Sequence, residues 1–248
     1  MNIAVCVCHV PDTASVIGVV DGERDFSRVY EVMNPYDEYA LEEAVRLREH
    51  FAPGEVTVFS VASASTKEMV RKALAMGADR AILVDHTVVA DPYQTAFALS
   101  RAISVFYGHT LPEVVFCGKQ STDFQSAQVP PMLAELLGIG AVTGICSLVV
   151  STEGLQVERE IEGGSEFFDL HYPVLLSAEK GLNMPRKTSI KSVMEARKKN
   201  IDSFSISLDV PPYVVMAGLK PLDRKKRCQF LSDEKELIKI LREKHKLF

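Results

Sequence analysis

Ile3-Ala4-Val5-Cys6-Val7 is five residues without a charged or amide side chain, ending at His9-Val10-Pro11-Asp12, which reads as a loop. Three more runs of the same kind follow: Val56-Thr57-Val58-Phe59-Ser60-Val61, Ala81-Ile82-Leu83-Val84 and Val114-Val115-Phe116-Cys117, the last with Gly118 directly behind it. Helix signals separate them. Asn34-Pro35 opens one helix, with Asn34 as cap and Pro35 in the first turn. That helix sets Ala40, Leu41, Ala44, Val45 and Leu47 on one face and Glu42, Glu43, Arg46 and Arg48 mostly opposite. Ser65-Thr66-Lys67-Glu68 has the capping-box pattern and starts a helix running to Met76, where Gly77 stops it. Asp91-Pro92 begins a third, with Ala96, Leu99, Ala102, Ile103 and Phe106 inward. Short apolar strands between helices are strands buried on both faces, which makes an α/β fold: a Rossmann-like parallel sheet flanked by helices. The crossovers are then right-handed.

The pattern changes after Gly138. Residues 142–150, 155–161, 166–170 and 174–178 read as strands joined by tight turns at Glu153-Gly154 and Gly163-Gly164, a small antiparallel extension of the sheet. Residues 183–231 carry no long periodic stretch except a short helix near 189–197, and Pro211-Pro212 and Lys220-Pro221 punctuate an extended segment. Ser232 to Leu247 reads as a terminal helix striped by Leu237, Ile238, Ile240 and Leu241. The expected organisation is an α/β domain over 1–182 and an extended C-terminal arm with its helix over 183–248, since so long a structureless stretch suits a partner-bound arm.

At 248 residues, 47% hydrophobic and 25% charged, the chain has an ordinary globular composition. No apolar run approaches the ~20 residues that cross a bilayer, so membrane insertion is not expected. A strand this close to the first residue leaves no room for a secretory signal, and five irregularly spaced cysteines make no disulfide framework, so a cytoplasmic protein with reduced thiols is expected. The net charge of −5 conceals a split: from Lys180 onward 17 Lys and Arg face 8 Asp and Glu, about +9, against about −14 before it. The last quarter is built to meet something else. Aromatic interleaving and nucleic-acid motifs are missing, so no nucleic-acid partner is expected. The clusters Arg197-Lys198-Lys199 and Arg224-Lys225-Lys226-Arg227 suit docking on an acidic protein.

In a parallel sheet, ligands bind beyond the carboxyl ends of the strands. That selects Cys6 to Thr13, Val61 to Ser65 and Gly118 to Val129. The stretch Gly118-Lys119-Gln120-Ser121-Thr122-Asp123-Phe124-Gln125-Ser126-Ala127-Gln128-Val129-Pro130-Pro131 is the most informative. A glycine after a buried strand admits a ligand close to the backbone, and the polar run feeds a helix near Pro130 whose N–H groups make an anion site. Ser126 and Ala127 keep the approach open, and Gln128 can read an amide or hydroxyl. The same residues also suit a loop that caps its own backbone, and neither a Walker loop nor GxGxxG is present. Glu158, Glu160 and Glu162 share one strand face, which reads as solvated rather than catalytic. The histidines His9, His86, His109 and His171 have no metal-ligand spacing, so no metal is expected, and no GxSxG or Cys/His constellation supports hydrolysis.

Five segments together resemble one family. They are Asn34-Pro35-Tyr36-Asp37 running into Ala40–Leu47, Lys72–Arg80, Gly118–Asp123, Glu158–Gly164 and Asn183-Met184-Pro185-Arg186. In this order they resemble the beta subunit of electron transfer flavoproteins, including the FixA-type proteins, over nearly the full length. The resemblance implies an electron-carrier subunit rather than an enzyme. It implies a heterodimer with an alpha subunit that carries redox-active FAD in a mobile domain, and an adenine nucleotide in this chain: AMP in ordinary carriers, a second FAD in NADH-oxidising, bifurcating relatives. It places that nucleotide against Cys6, Asn34, Pro35, Tyr36, Asp37, Val61, Gly118, Gln120, Ser121, Asp123, Ser126, Ala127, Gln128 and Val129. Glu160 matches a glutamate that meets the flavin domain. Pro185, Arg186, Ile190 and Met194 fall in the loop that recognises acyl-CoA dehydrogenases, with Ile190 where the family has an anchoring leucine, and the arm would embrace the alpha subunit.

Two departures bear on the cofactor. Gln128-Val129-Pro130-Pro131 stands where ordinary carriers have threonine-glycine near the phosphate, and Thr13 where they have an aromatic. The first is closer to the FixA and bifurcating pattern and the second resembles the FixA branch; other members of that branch lack bifurcation, so bifurcation is not implied. A reading of another class, a freestanding ATP-binding stress-type protein, would need a glycine-rich phosphate loop after the fourth strand and would have no use for residues 183–248.

Overall fold

Alternation within the first strand builds both sides of the molecule. In β1 (Asn2–Cys6), Ile3 and Val5 face one layer of helices and Ala4 and Cys6 the other, all of them buried. The computed structural model describes residues 1–25, 27–62, 66–85, 91–108, 110–151, 154–207, 209–220 and 228–247. After β1 come β2 (His9–Pro11), β3 (Gly18–Val20), β4 (Glu23–Asp25), β5 (Glu31–Met33), α1 (Pro35–His50), β6 (Glu55–Val61), α2 (Lys67–Met76), β7 (Arg80–Asp85) and α3 (Pro92–Tyr107). Then follow β8 (Val114–Gly118), α4 (Val129–Leu137), β9 (Gly140–Val150), β10 (Leu155–Ile161), β11 (Gly164–Leu170), β12 (Val174–Ala178), α5 (Ile190–Lys198), β13 (Asp202–Ser205) and α6 (Glu234–Glu243).

The main sheet runs β11-β10-β9-β12-β8-β1-β6-β7-β13. From β9 to β13 along the sheet every neighbouring pair is parallel, and the pairings β9–β10 and β10–β11 are antiparallel. Helices α1 and α2 cover one face with Leu41, Val45, Val70 and Leu74, and α3 and α4 cover the other with Leu99, Ile103 and Leu133. The α/β class and the flanked parallel sheet are as expected.

Several details differ from the sequence expectation, each for a physical reason. Val174–Ala178 is not part of the antiparallel extension: β12 inserts between β8 and β9, parallel to both and buried throughout. A run whose one polar side chain, Ser177, is small and accepts the Gly144 amide belongs at the centre of such a sheet. His9–Pro11 is not a loop but pairs with Glu31–Met33. Asp202–Ser205 lies inside the stretch read as extended, yet forms the edge strand beside β7. Asn34 precedes α1 without capping it, because its side-chain amide is drawn to Asp37 and to the Gln120 carbonyl. Glu42 and Glu43 are buried, not solvent-facing, because residues 183–186 lie over them. In the capping box read at 65–68, Thr66 holds the N-cap position of α2, while Ser65 lies outside the described residues. Asp91 does cap α3: its Oδ1 accepts from the Gln94 amide at 2.7 Å, with Gln94 answering as the other half of the box.

By contacts the chain divides into two units, Met1–Ile17 with Phe26–Ala217, and Gly18–Asp25 with Gly218–Phe248. The first holds the main sheet, α1 to α5 and the small β2–β5 sheet. The second holds the β3–β4 hairpin and α6, with the Leu219 amide donating to the Gly22 carbonyl at 2.9 Å. Asp233 caps α6 by accepting from the Glu236 amide at 2.8 Å, and α6 has no buried residue. The basic run Arg224–Arg227 lies outside the described residues, as do His86 and His109.

Candidate functional site

A cleft of about 100 Å³ opens beyond the carboxyl ends of β1, β6 and β8, where the parallel-sheet argument places a ligand. It brings together Cys6, Asn34, Asp37, Val61, Gly118, Gln120, Ser121, Ser126, Ala127, Gln128 and Val129. Of the expected cofactor residues, Pro35, Tyr36 and Asp123 do not line it. Pro35 and Tyr36 form the first turn of α1, and Asp123 accepts the Phe124 amide at 2.9 Å. Thr95 and Leu99 of α3, together with Val7, Cys8, Cys117 and Pro130, complete the wall. The α3 pair gave no sequence signal beyond an apolar helix face. The end of the second-strand loop, Ser63 to Ser65, lies outside the described residues.

Asp37 organises this cleft. Its Oδ2 accepts from the Cys8 amide at 2.7 Å, and its Oδ1 from the Gly118 amide at 3.0 Å and from Asn34 Nδ2 at 2.9 Å. One carboxylate thus ties β1, α1 and β8 together. Burial pushes its pKa up to about 6, with the Cys8, Asn34 and Gly118 hydrogen bonds opposing. Gly118 serves the same arrangement. A Cβ there would lie 2.2 Å from Asp37 Oδ1 and 2.9 Å from the Asp37 nitrogen. The glycine is therefore required by the close approach of α1, and it also lines the cleft.

Asn34 has a spare acceptor. Its Nδ2 also donates to the Gln120 carbonyl at 2.9 Å. With two acceptors on that side, the amide cannot be turned over, so Oδ1 is fixed. This buried Oδ1 has no hydrogen-bond partner among the described residues.

The loop before α4 is strained. Gln125 and Ala127 hold φ of 52° and 53°, the left-handed region, and Gln128 returns to the right-handed one. A left-handed residue followed by a right-handed one, Ala127 then Gln128, is the backbone pattern of an anion-binding nest, while the Gln125 N–H is already given to the Ser121 carbonyl at 3.0 Å. The helix behind contributes less than expected: Pro130 and Pro131 occupy its first turn and have no N–H to offer. Lys119 does not line the cleft; it pairs with Glu179, which raises its pKa. No lysine, arginine or histidine is among the described lining residues, so backbone, hydroxyl and side-chain amide donors would have to hold any anion.

The thiols are quiet. The hydrogen bond with Cys6, then burial, pushes Cys117 up, and burial next to Asp37 pushes Cys8 up, so neither ionises near neutral pH. All five cysteines are free, with Cys228 exposed. Among the described residues no three His, Cys, Asp or Glu side chains gather as a metal site, and no helix is long and apolar enough to cross a membrane.

The remaining predicted residues lie elsewhere on the first unit. Glu160 is exposed on the outer face of β10, and its neighbour Arg159 pairs with Glu166 on β11. Ile190 begins α5 and is 88% exposed, with Met194 one turn on at 54%. Pro185 is half-buried, and Arg186 turns inward, held by Glu42 and Glu49 of α1. Hydrogen bonds to Glu49 and Glu42 raise the Arg186 pKa, and Glu49 is lowered in return.

The family model "Electron transfer flavoprotein domain" matches residues 26–209. An electron transfer flavoprotein subunit beta of Thermoanaerobacterium thermosaccharolyticum is 38% identical, covering 98% of this chain and 97% of the relative. One from Bacillus subtilis is 32% identical over 97% of this chain and 91% of its own length. Protein FixA of Sinorhizobium fredii is 37% identical over 81% of this chain and 73% of the relative.

Proposed function

The chain belongs to the electron transfer flavoprotein family, with beta subunits and FixA as its relatives, and from that premise we propose that it is the nucleotide-holding half of a cytoplasmic heterodimeric electron carrier. An alpha subunit completes it and shares its FAD, a cofactor that takes up and releases electrons while the protein supplies position and electrostatics. The electrons come from acyl-CoA-type dehydrogenases and go on to a downstream acceptor.

The observation that carries the nucleotide assignment is the cleft beyond the carboxyl ends of β1, β6 and β8, walled by apolar Val61 and Leu99 and bounded by the left-handed turn at Ala127. The nest at Ala127–Gln128 suits the phosphate end. With a volume of about 100 Å³ the cleft takes only part of a nucleotide, so the rest extends along Ser126 to Val129 toward solvent. Apolar Val61 and Leu99 suit the flat face of a base. Acid extraction of the purified heterodimer, followed by mass identification, is expected to release one adenine nucleotide beyond the FAD shared with the alpha subunit. AMP fits the ordinary carrier. A second FAD, which the departures at Gln128-Val129-Pro130-Pro131 and Thr13 leave open, assigns the chain to the NADH-oxidising, bifurcating type. Release of no second nucleotide defeats the assignment.

Glu160, on an exposed acidic strand face, is the contact for the flavin-bearing domain. Ile190 and Met194 form the apolar centre of a dehydrogenase-docking surface rimmed by exposed Lys187 and Lys191, the arrangement of a hot spot within a charged rim. Ile190→Ala is expected to raise the KM for the dehydrogenase roughly tenfold, about 1.4 kcal/mol, with bound nucleotide unchanged. Stopped-flow flavin reduction measures the first and extraction the second; an unaltered KM removes Ile190 from the docking surface.

A further inference from the structure

The segment that presents Ile190 and Met194 has almost no core of its own. Ala196 is the only buried residue of α5, while Met184, Ile190 and Met194 stand in solvent. Polar clamps hold it at both ends. Downstream, Arg71 of α2 donates to the Ala196 and Arg197 carbonyls at 3.1 and 3.3 Å, and Lys199 donates to the Ala78 carbonyl at 2.7 Å. Upstream, Asn183 Nδ2 donates to the Tyr39 carbonyl and to Glu43 Oε2, each at 2.9 Å.

Arg186 makes the most extensive clamp. Its backbone N–H and Nε both donate to Glu42 Oε2, at 3.0 and 2.8 Å, and Nη2 reaches Glu42 Oε1 at 3.1 Å. Nη1 and Nη2 also donate to Glu49 Oε1 and Oε2, at 2.8 and 3.2 Å. A planar guanidinium can grip two carboxylates at once, whereas an ammonium is a point charge without that fork. The Glu42 side chain is only 7% exposed, so its charge relies on this partner.

We propose that Arg186, with Glu42 and Glu49, is the positioning group of the dehydrogenase-docking surface: it fixes residues 184–194 on α1 so that Ile190 and Met194 are held outward, ordered, before any partner arrives. The proposal rests on the docking reading above. An apolar anchor binds well only if little conformational freedom is lost on association. Here the freedom is removed in advance by charge beneath the segment, which leaves the apolar side chains free to face a partner. Arg186 does not touch the partner.

The test uses the full heterodimer carrying Arg186→Lys, Glu49→Gln, Ile190→Ala or Arg186→Lys with Ile190→Ala. The probe is a purified medium-chain acyl-CoA dehydrogenase, read by electron-transfer kinetics alongside hydrogen exchange of residues 184–194. Arg186→Lys is expected to raise KM roughly tenfold with kcat and nucleotide content unchanged, and to quicken exchange across 184–194. Glu49→Gln, at a half-exposed partner that the fold can spare, should shift both readouts the same way by roughly threefold in KM. Ile190→Ala should raise KM and leave exchange alone. The double variant should be no worse than the poorer single one, because a loosened segment no longer presents its anchor. Faster exchange with an unchanged KM overturns the positioning role, as does a raised KM with unchanged exchange, which would make Arg186 a direct contact. A KM unmoved by Ile190→Ala alone sinks the docking reading itself, and the positioning role with it.

Discussion

Gly118→Ala is expected to destabilise the protein by about 3 kcal/mol, which for a chain of this size lowers Tm by roughly 6–12 °C. The added methyl would sit 2.2 Å from Asp37 Oδ1, 2.7 Å from Tyr36 Cβ and 2.9 Å from the Asp37 backbone nitrogen. All three belong to the first turn of α1, and two of them, Tyr36 Cβ and the Asp37 nitrogen, cannot swing aside as the end of a flexible side chain would. The helix must shift away from β8, and the shift breaks the Gly118 N–H bond to Asp37 and displaces Asn34 from the cleft. Nucleotide content should fall together with stability. Gly140→Ala is the matched control, because a Cβ there meets nothing within 4 Å. Thermal denaturation of the two variants checks the argument, and equal Tm values would refute it.

The second large effect concerns pH. Burial raises the Asp37 carboxyl from 3.8 to about 6, outweighing the Cys8, Asn34 and Gly118 hydrogen bonds. The folded state then holds this proton more tightly than the unfolded chain does. The group's contribution is full below the unfolded value and is lost as pH rises through about 6, the reverse of a salt-bridged aspartate. The total is on the order of 3 kcal/mol, of which about half falls between pH 5 and 7.5. Asp37→Asn keeps one acceptor oxygen but cannot titrate, and its amide meets the Cys8 N–H donor to donor, so it starts from a lower stability. Across that pH interval the gap between wild type and variant should narrow by about 1.5 kcal/mol. Urea unfolding at several pH values measures the gap, and a constant gap would remove Asp37 as its source.

The architecture was legible where one element's pattern was enough. Ile3–Val7, Val56–Val61, Ala81–Val84 and Val114–Cys117 are apolar on both faces, which only a covered sheet accommodates. Asp91-Pro92 with Gln94 spells a helix start in four residues. What stayed hidden depends on partners distant in sequence. An apolar run such as Val174–Ala178 announces burial but not direction, so its parallel place between β8 and β9 could not be read. Glu42 and Glu43 look solvent-facing until Asn183 and Arg186, about 140 positions later, cover them. Asp202–Ser205 is an edge strand whose single large apolar residue, Phe204, gives too weak a signal. For the cleft, position after a strand selected the right loops, but Thr95 and Leu99 came from a helix face, and the roles of Asn34 and Asp37 were suggested only by family resemblance. The missing donors of Pro130 and Pro131 were legible from the start, since proline has no N–H wherever it lies.

The late arrival of β12 has a consequence for how the chain is made. The ribosome delivers β8 and β9 before the strand that must lie between them, and some sixty residues separate the start of β8 from that of β12. Until Val174–Ala178 emerges, both neighbours present unpaired apolar edges, the surfaces that invite another chain. The β9–β10–β11 meander can pair on its own by local contacts, but it has no seam to the rest of the sheet. Nascent chains stalled before residue 178 has left the ribosome should therefore be clients of holding chaperones, and chains long enough to expose it should escape them. Closing the sheet is the moment this protein leaves its vulnerable stage.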